Sequence, residues 1–316
     1  MTWHLVTTDF PPQSGGLSTW TAAAARALHA AGESVEVHAR ARSGADPRDW
    51  PFPVHPMWGR AWATWQGVWA AASVLPRVRA GDRVLCATWP LAMKLVGVVD
   101  HLGVAYHGSD LTRSPVHAAL HHVCDRAVNL PVSRFLGGLL GAPYTVLPAP
   151  IDPGPVADPG DRLLTIARLG RLKGVDRVLR LGARLGRPVT VVGDGPERPH
   201  LEALAADLGV DARFTGALRP ERIPWDGAWA VCLFSRADDD GTGAEGLGLV
   251  LLEGAARGIP AIGTRVGGIP EAADVVIDDP DRDPIPTLPS RAAVRARVAD
   301  HHGTAALVAT LRDVLG

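Results

Sequence analysis

Glu245 and Glu253 stand eight positions apart in the segment EGLGLVLLEGAARGIPAIGTRVGGIPE, residues 245–271, with glycines and leucines between them. Carboxylates accept hydrogen bonds from hydroxyl groups, so an acid in a glycine-flanked loop and a second acid in the helix that follows can face one cleft. One could hold a ribose and the other a sugar hydroxyl. Gly246, Leu247 and Gly248 bring bare backbone close to that place, and their N–H groups suit phosphate or sugar oxygens. The stretch LVLLE reads as the start of a helix packed against a sheet.

A diphosphate needs positive charge, and the segment IARLGRLKG supplies it. Arg168 ends a strand-like run and Lys173 follows five positions later across a short loop. Arginine grips two oxygens through its planar fork, whereas lysine acts as a point charge. Taken alone, the pair is equally a solvated basic loop. Gly193 and Gly195 in VVGDGPE read as a structural strand-to-helix turn. In PPQSGGLSTW, Gly15 and Gly16 precede a helix whose free N–H groups can receive an anion, although by itself this is a tight turn with Ser18 as cap. The Gly-x-Gly-x-x-Gly dinucleotide fingerprint is absent from that loop. His107 in AYHGSDL ends another strand and is placed to bond a substrate hydroxyl or exchange a proton near neutral pH; among 12 histidines, an incidental role is the heavier reading of one alone.

Ligands in open parallel sheets bind beyond the carboxyl ends of the strands, and the elements here put all these loops there. Short apolar runs alternate with Ala-rich helical stretches, the pattern of βαβ units. WHLVTTDF, SVEVHAR, DRVLCAT, GVAYHG and YTVLPAP are predicted strands of a first domain. RLLTIARL, RPVTVVGDG, ARFTGAL, AWAVCLFS and IPAIGTRV are those of a second. Between them PAPIDPGPVADPGD, residues 148–161, carries five prolines and reads as a connector. The expected division is 1–155, 156–300 and a terminal helix at 301–316 that packs back towards the first domain.

The chain has 316 residues, 47% hydrophobic and 21% charged, which fits two soluble globular domains. A formal net charge of −1 gives no broad attraction for nucleic acid. Cys86, Cys124 and Cys232 are scattered among apolar neighbours and read as core thiols, which excludes a disulfide framework. The start MTWHLVTTDF lacks the pattern of a secretory signal, and the longest uncharged run falls short of a spanning helix, so the expected location is cytoplasmic. Trp58, Trp62, Trp65 and Trp69 recur at helical spacing. Core packing is the expected use of that stripe, ahead of an aromatic face for sugar stacking or for a lipid-linked acceptor with peripheral membrane contact.

Together, PPQSGGLS, HGSDL, IARLGRLKG, VVGDGPE, EGLGLVLLEGAARGIPAIGT and GGIPE resemble glycosyltransferase family 4, in the same order and over nearly the whole chain. The resemblance implies an α/β protein of the GT-B fold, two Rossmann-like doubly wound domains facing across a cleft. It implies a retaining, metal-independent hexosyltransferase with a nucleoside diphosphate sugar as donor, a hydroxyl acceptor and no cofactor. Glu253 would bind the ribose, Glu245 the donor sugar, and Arg168 and Lys173 the departing diphosphate. His107 would contact the sugar, Gly246, Leu247 and Gly248 would offer backbone to the donor, and Gly15 and Gly16 would line the cleft. Two segments depart from the family pattern: PAPID before the connector, and FSRADDDGTGAEG, which is longer than usual.

Three alternatives remain from the residues. Asp238 and Asp240 form Asp-x-Asp and would suit a metal-dependent transferase, but the cations already supply that charge, so no metal ligand is assigned. A sugar-nucleotide epimerase or hydrolase would use the same donor pocket. A catalytically silent nucleotide-sugar binding subunit would keep the pocket without turnover.

Overall fold

The computed structural model describes residues 1–13, 15–40, 50–58, 63–108, 111, 117–237 and 245–316. The described chain divides into two compact units, Met1–Pro150 with His302–Gly316, and Ile151–His301. The division thus falls between Pro150 and Ile151, inside the proline-rich connector, a few residues before the expected boundary.

The first unit carries β1 (Thr2–Thr7), α1 (Gly16–Ala30), β2 (Ser34–Arg40), β3 (Val54–Met57), α2 (Ala63–Val74), β4 (Arg83–Cys86), α3 (Trp89–Ala92), β5 (His101–Tyr106), α4 (His117–Cys124), β6 (Val128–Pro131) and α5 (Arg134–Gly138). Its sheet runs β3-β2-β1-β4-β5-β6, all parallel. The second unit carries β7 (Pro159–Ile166), α6 (Val175–Leu185), β8 (Val189–Val192), α7 (Arg198–Asp207), β9 (Ala212–Phe214), β10 (Ala228–Leu233), α8 (Leu249–Ala256), β11 (Ala261–Thr264), α9 (Ile269–Ala272), β12 (Val275–Ile277) and α10 (Arg291–His301). Its sheet runs β12-β11-β10-β7-β8-β9, again parallel, so both sheets repeat one doubly wound order. The order reverses between β1 and β4 in one unit and between β7 and β10 in the other.

Apolar runs such as VTVV in β8 are buried throughout, as strands covered on both faces require. α6 buries Val175, Val178, Leu179 and Gly182 on one stripe, while its arginines lie off it. Cys86, Cys124 and Cys232 are free and buried, as expected of core thiols.

Four differences from the sequence expectation have local causes. YTVLPAP forms no strand; Pro143, Pro148 and Pro150 remove donors, and the segment only skirts β6 through Thr145 N–H to Asn129 O and Leu147 N–H to Pro131 O. β3, β6 and β12 are three- or four-residue strands too short to show a period. The terminal helix is two helices, α10 and α11 (Thr304–Leu315), interrupted at Gly303, whose φ is 110°. Finally, Trp69 packs against the first core but Trp58 is 76% exposed, so those two do not share one buried face. Trp62 and the side chain of Trp65 lie outside the described residues.

α11 belongs to the first unit. It buries Leu307, Val308, Leu311 and Leu315, packs on α1 and β5, and pairs Arg312 with Glu33 at 2.6 Å. Leu315 approaches β5 at Gly103, where a Cβ would stand 2.9 Å from the leucine Cδ1. Leu311→Ala is therefore expected to destabilise the first unit by about 2–5 kcal/mol in urea denaturation; a cost below about 1 kcal/mol would mean that α11 is not part of that core.

Candidate functional site

The reversal point of the second sheet lies between β7 and β10, and the loops after these two strands carry the residues singled out by their chemistry. The β7 loop passes Arg168, makes a single 3-10 turn over Arg171–Lys173, and reaches the start of α6 at Gly174. Gly174 has φ 63°, and a Cβ there would overlap the carbonyl oxygen of Phe234 in the β10 loop. Only glycine lets the two loops approach so closely.

Side chains then lace the loops together. Lys173 Nζ donates to Glu245 Oε2 at 2.6 Å, and the buried Ser235 hydroxyl donates to the same oxygen at 3.3 Å. Arg236 grips Asp176 through two nitrogens at 2.8 and 2.6 Å, donates to the carbonyl of Arg171, and gives its backbone N–H to Leu172. Burial tends to raise the Asp176 carboxyl pKa, but the Arg236 bond and charge hold it below its ordinary value.

From the β8 side, Leu169 N–H donates to Asp194 and Glu197 N–H donates to Leu169. A Cβ at Gly193 or Gly195 would overlap the carbonyl oxygens of Ala167 or Leu169. The turn VVGDGPE therefore acts as expected, as close packing beneath the Arg168 loop. Arg168 itself is exposed, and its guanidinium has no hydrogen bond or ion pair among the described residues. Lys173 spends one of its three N–H donors on Glu245, which leaves two.

Gly246, Leu247 and Gly248 are buried, and Gly248, with φ 88°, caps α8 without any side-chain bond. Glu245 O accepts from Gly268 N–H at 3.0 Å, and a Cβ at Gly268 would overlap the Gly246 carbonyl oxygen, which explains the second glycine of GGIPE. Glu253 lies within α8. Its carboxylate has no hydrogen bond or ion pair among the described residues, and burial pushes its pKa up to about 7, opposed by the nearby Arg257. Arg257 is engaged elsewhere, at the Glu253 carbonyl and over the Trp225 ring at 4.7 Å.

Gly15, Gly16 and His107 lie in the first unit. Gly15 precedes α1 with φ 150°, open space where a Cβ would be, and no side-chain cap. Ser18 is not the cap; it sits inside the helix and donates to Gln13 O at 2.7 Å. His107 follows β5 and meets Trp20 of α1 edge-on, ring centroids 4.7 Å apart. Burial lowers its pKa to about 3. That shift favours the neutral ring and weighs against proton exchange near neutral pH. Asp238 and Asp240 lie outside the described residues. Sequence reasoning missed Ser235 and Arg236, whose only signal is their place directly after β10.

Solved structures share this architecture. The chain aligns over 99% of its length with AviGT4, a glycosyltransferase involved in avilamycin A biosynthesis, at TM-score 0.69 and 18% identity, covering 98% of that chain. Against Anabaena Alr3699/HepE, solved with UDP and glucose, the TM-score is 0.71 at 14% identity, covering 99% of each chain. These likenesses establish the fold as GT-B, built of two Rossmann-like domains. Residues 160–284 match the family model described as glycosyl transferases group 1. Among curated relatives, the GDP-mannose-dependent alpha-(1-6)-phosphatidylinositol monomannoside mannosyltransferase of Mycolicibacterium smegmatis is 35% identical over 164 residues, 47% of this chain and 42% of that protein. The N-acetyl-alpha-D-glucosaminyl L-malate synthase of Bacillus anthracis is 33% identical over 113 residues, 34% of this chain and 28% of that protein. Both matches thus span less than half of the relative's length. No helix among the described residues is long and apolar enough to cross a membrane.

The Glu253 carboxyl gives a pH test with a definite sign. Its folded pKa, about 7, exceeds its ordinary value of 4.5, so the folded state holds the proton more tightly than the unfolded state does. Stability therefore falls as pH rises from about 4.5 through about 7. Glu253→Gln is expected to melt at a higher temperature than the parent above pH 7, with the difference shrinking towards pH 5 in calorimetry; a pH-independent difference would show that the carboxyl is not held in its protonated form.

Proposed function

We propose that the chain is a retaining glycosyltransferase that moves a hexose from a UDP- or GDP-linked donor to a hydroxyl acceptor, without a metal ion in the transfer step. The observation that carries this reading is the Lys173–Glu245 pair, fixed at 2.6 Å where the strand order reverses, on the same loop as Arg168, whose guanidinium has no partner among the described residues. The names of several relatives specify GDP-mannose, which makes it the first donor to test.

Transfer breaks the bond between the anomeric carbon and the diphosphate oxygen, and the electron pair leaves with the phosphate. Arg168 and the two remaining donors of Lys173 meet that developing charge. A cation about 4 Å from a phosphate oxygen is worth about 4 kcal/mol at an effective dielectric of 20, so two cations supply what a bound divalent ion would otherwise give. Glu245, held by Lys173 and Ser235, accepts from a sugar hydroxyl. Glu253 accepts from the ribose hydroxyls, which offer the partners its carboxylate lacks. In front-face attack the acceptor hydroxyl passes its proton to the departing phosphate, and the anomeric configuration is retained. The neutral His107 suits a hydrogen bond to the sugar, and the open start of α1 at Gly15 and Gly16 suits an anion or an acceptor.

The test is incubation with GDP- and UDP-sugars, with and without added Mg2+ or Mn2+, following nucleotide release and the configuration of the product. Release with no dependence on added ion is expected; a strict Mg2+ or Mn2+ requirement would overturn the ion-free step. Lys173→Ala and Arg168→Ala should each lower turnover by about 3 kcal/mol of barrier, roughly 100-fold, with little change in melting temperature. Unchanged rates in both variants would remove the mechanism. Glu253→Ala should chiefly weaken nucleotide affinity in calorimetric titration, and unaltered affinity would refute the ribose role.

A further inference from the structure

The first sheet buries a group of polar side chains that the proposed transfer does not use. His4 on β1 and Glu36 on β2 are register partners, and so are His38 on β2 and His55 on β3. Residues 36 and 38 are two apart on one strand, so all four side chains emerge on one face of the sheet. That face meets α2, whose Ser73 reaches His38. His4 and His38 are almost completely buried, at 1% and 0% exposure, whereas Glu36 and His55 are only partly covered.

The nitrogens and oxygen of this group converge. His4 Nδ1 lies 3.1 Å from His38 Nε2 and 3.8 Å from Glu36 Oε2, and one ligand atom from each of the three residues falls within 4.8 Å of the others. Ligands about 2.0–2.1 Å from a tetrahedral ion stand about 3.3 Å apart, so the observed separations bracket that spacing and need only small adjustment. An oxygen stands on the far side of each ring, at hydrogen-bond distance for His38 and only at ion-pair distance for His4, whose Nε2 makes no hydrogen bond among the described residues. His38 Nδ1 lies 2.8 Å from Ser73 Oγ, and His4 Nε2 lies 3.5 Å from Asp82 Oδ2. Metal-binding histidines characteristically give their second nitrogen to such a partner, which fixes the ring and the tautomer. His55 Nε2 lies 2.8 Å from Glu36 Oε2 and holds the carboxylate in place.

We propose that His4, Glu36 and His38 bind one divalent transition-metal ion of the zinc class, oriented by Ser73, Asp82 and His55, as a structural site within the first sheet. Two imidazoles and a carboxylate suit zinc or cobalt better than magnesium or calcium, which prefer all-oxygen shells. Glu36 and Asp82 give the ion charge balance against the nearby Arg77, and the partly exposed Glu36 and His55 give it an entry path. The ion would tie β1 to β2 and, through Ser73 and His55, to α2 and β3. This site is independent of the proposed transfer reaction, which uses other residues.

The experiment is to dialyse the folded chain against a chelator, add Zn2+ or Co2+ alone, and measure bound metal, melting temperature and the Co2+ visible spectrum. Binding of one equivalent is expected, with a rise in melting temperature that saturates at that ratio and a Co2+ visible spectrum distinct from that of the hydrated ion. Glu36→Gln, a near-isosteric change at a partly exposed position, should weaken Zn2+ at least about tenfold, and so should Ser73→Ala through the ring it orients. His38→Gln serves only if circular dichroism shows it folded. Less than about a tenth of an equivalent bound, or unchanged affinity in folded Glu36→Gln, overturns the proposal and leaves a hydrogen-bonded histidine pair.

Discussion

Two loops that follow different strands must be brought together where the order of the second sheet reverses, and the Lys173–Glu245 contact at 2.6 Å is the place where they join through charge. The contact is partly open to solvent, and pairs of that kind add little to stability. Its consequence is positional. An ammonium on a four-carbon stem has many rotamers, and holding it to a carboxylate that is itself bonded to Ser235 leaves two donors aimed from a fixed point. Arg236 makes the fixing possible from below, because its two hydrogen bonds to Asp176 and its hydrogen bonds to the carbonyls of Arg171 and Leu172 hold the 3-10 turn that presents Lys173. The glycines act in the same cause: without Gly174 and Gly268 the backbones would be pushed apart before any side chain could meet.

Glu253 shows the opposite kind of design. Lys173 and Glu245 pair with one another, while Glu253 stands on an apolar helix with a raised pKa and no side-chain partner for its carboxylate among the described residues. An acid in that state works against folding as soon as it ionises. The same property favours a ligand that brings hydroxyl donors, since such a ligand removes an existing penalty. Local instability and affinity are then two views of one unfilled hydrogen-bonding requirement.

How much could be read in the sequence depended on whether a feature was contiguous. Arg168, Lys173, Glu245 and Glu253 were legible because glycines bracket them and fixed spacings separate them within single segments. The doubly wound class was legible because long apolar runs recur between Ala-rich helices. VNLP of β6 was hidden, since an asparagine and a proline break its apolar pattern and its place comes from β5 beside it. YTVLPAP misled in reverse, being apolar enough for a strand but short of the N–H groups a ladder needs. Ser235 and Arg236 gave no motif, because their roles depend on partners 10 to 65 positions away. The burial that lowers the His107 pKa comes from packing that one sequence does not reveal at a strand end.

The histidine group of the first sheet follows the same logic. WHLV, VEVH and VHPM hold one or two polar residues each, and nothing in any single strand marks a site. Parallel pairing in one register places His4 against Glu36 and His38 against His55, and alternation puts them on the same face. The remainder of these strands is largely valine, leucine and alanine, as covered parallel strands demand. Polar rings buried in such surroundings cost free energy unless every donor and acceptor is met. The inward nitrogens of the two buried rings converge beside a carboxylate, and a cation there would satisfy both of them. Chemistry at the loops needs loose donors held at fixed points, whereas a group inside the sheet needs closure, and only the second kind can be argued from the sheet itself.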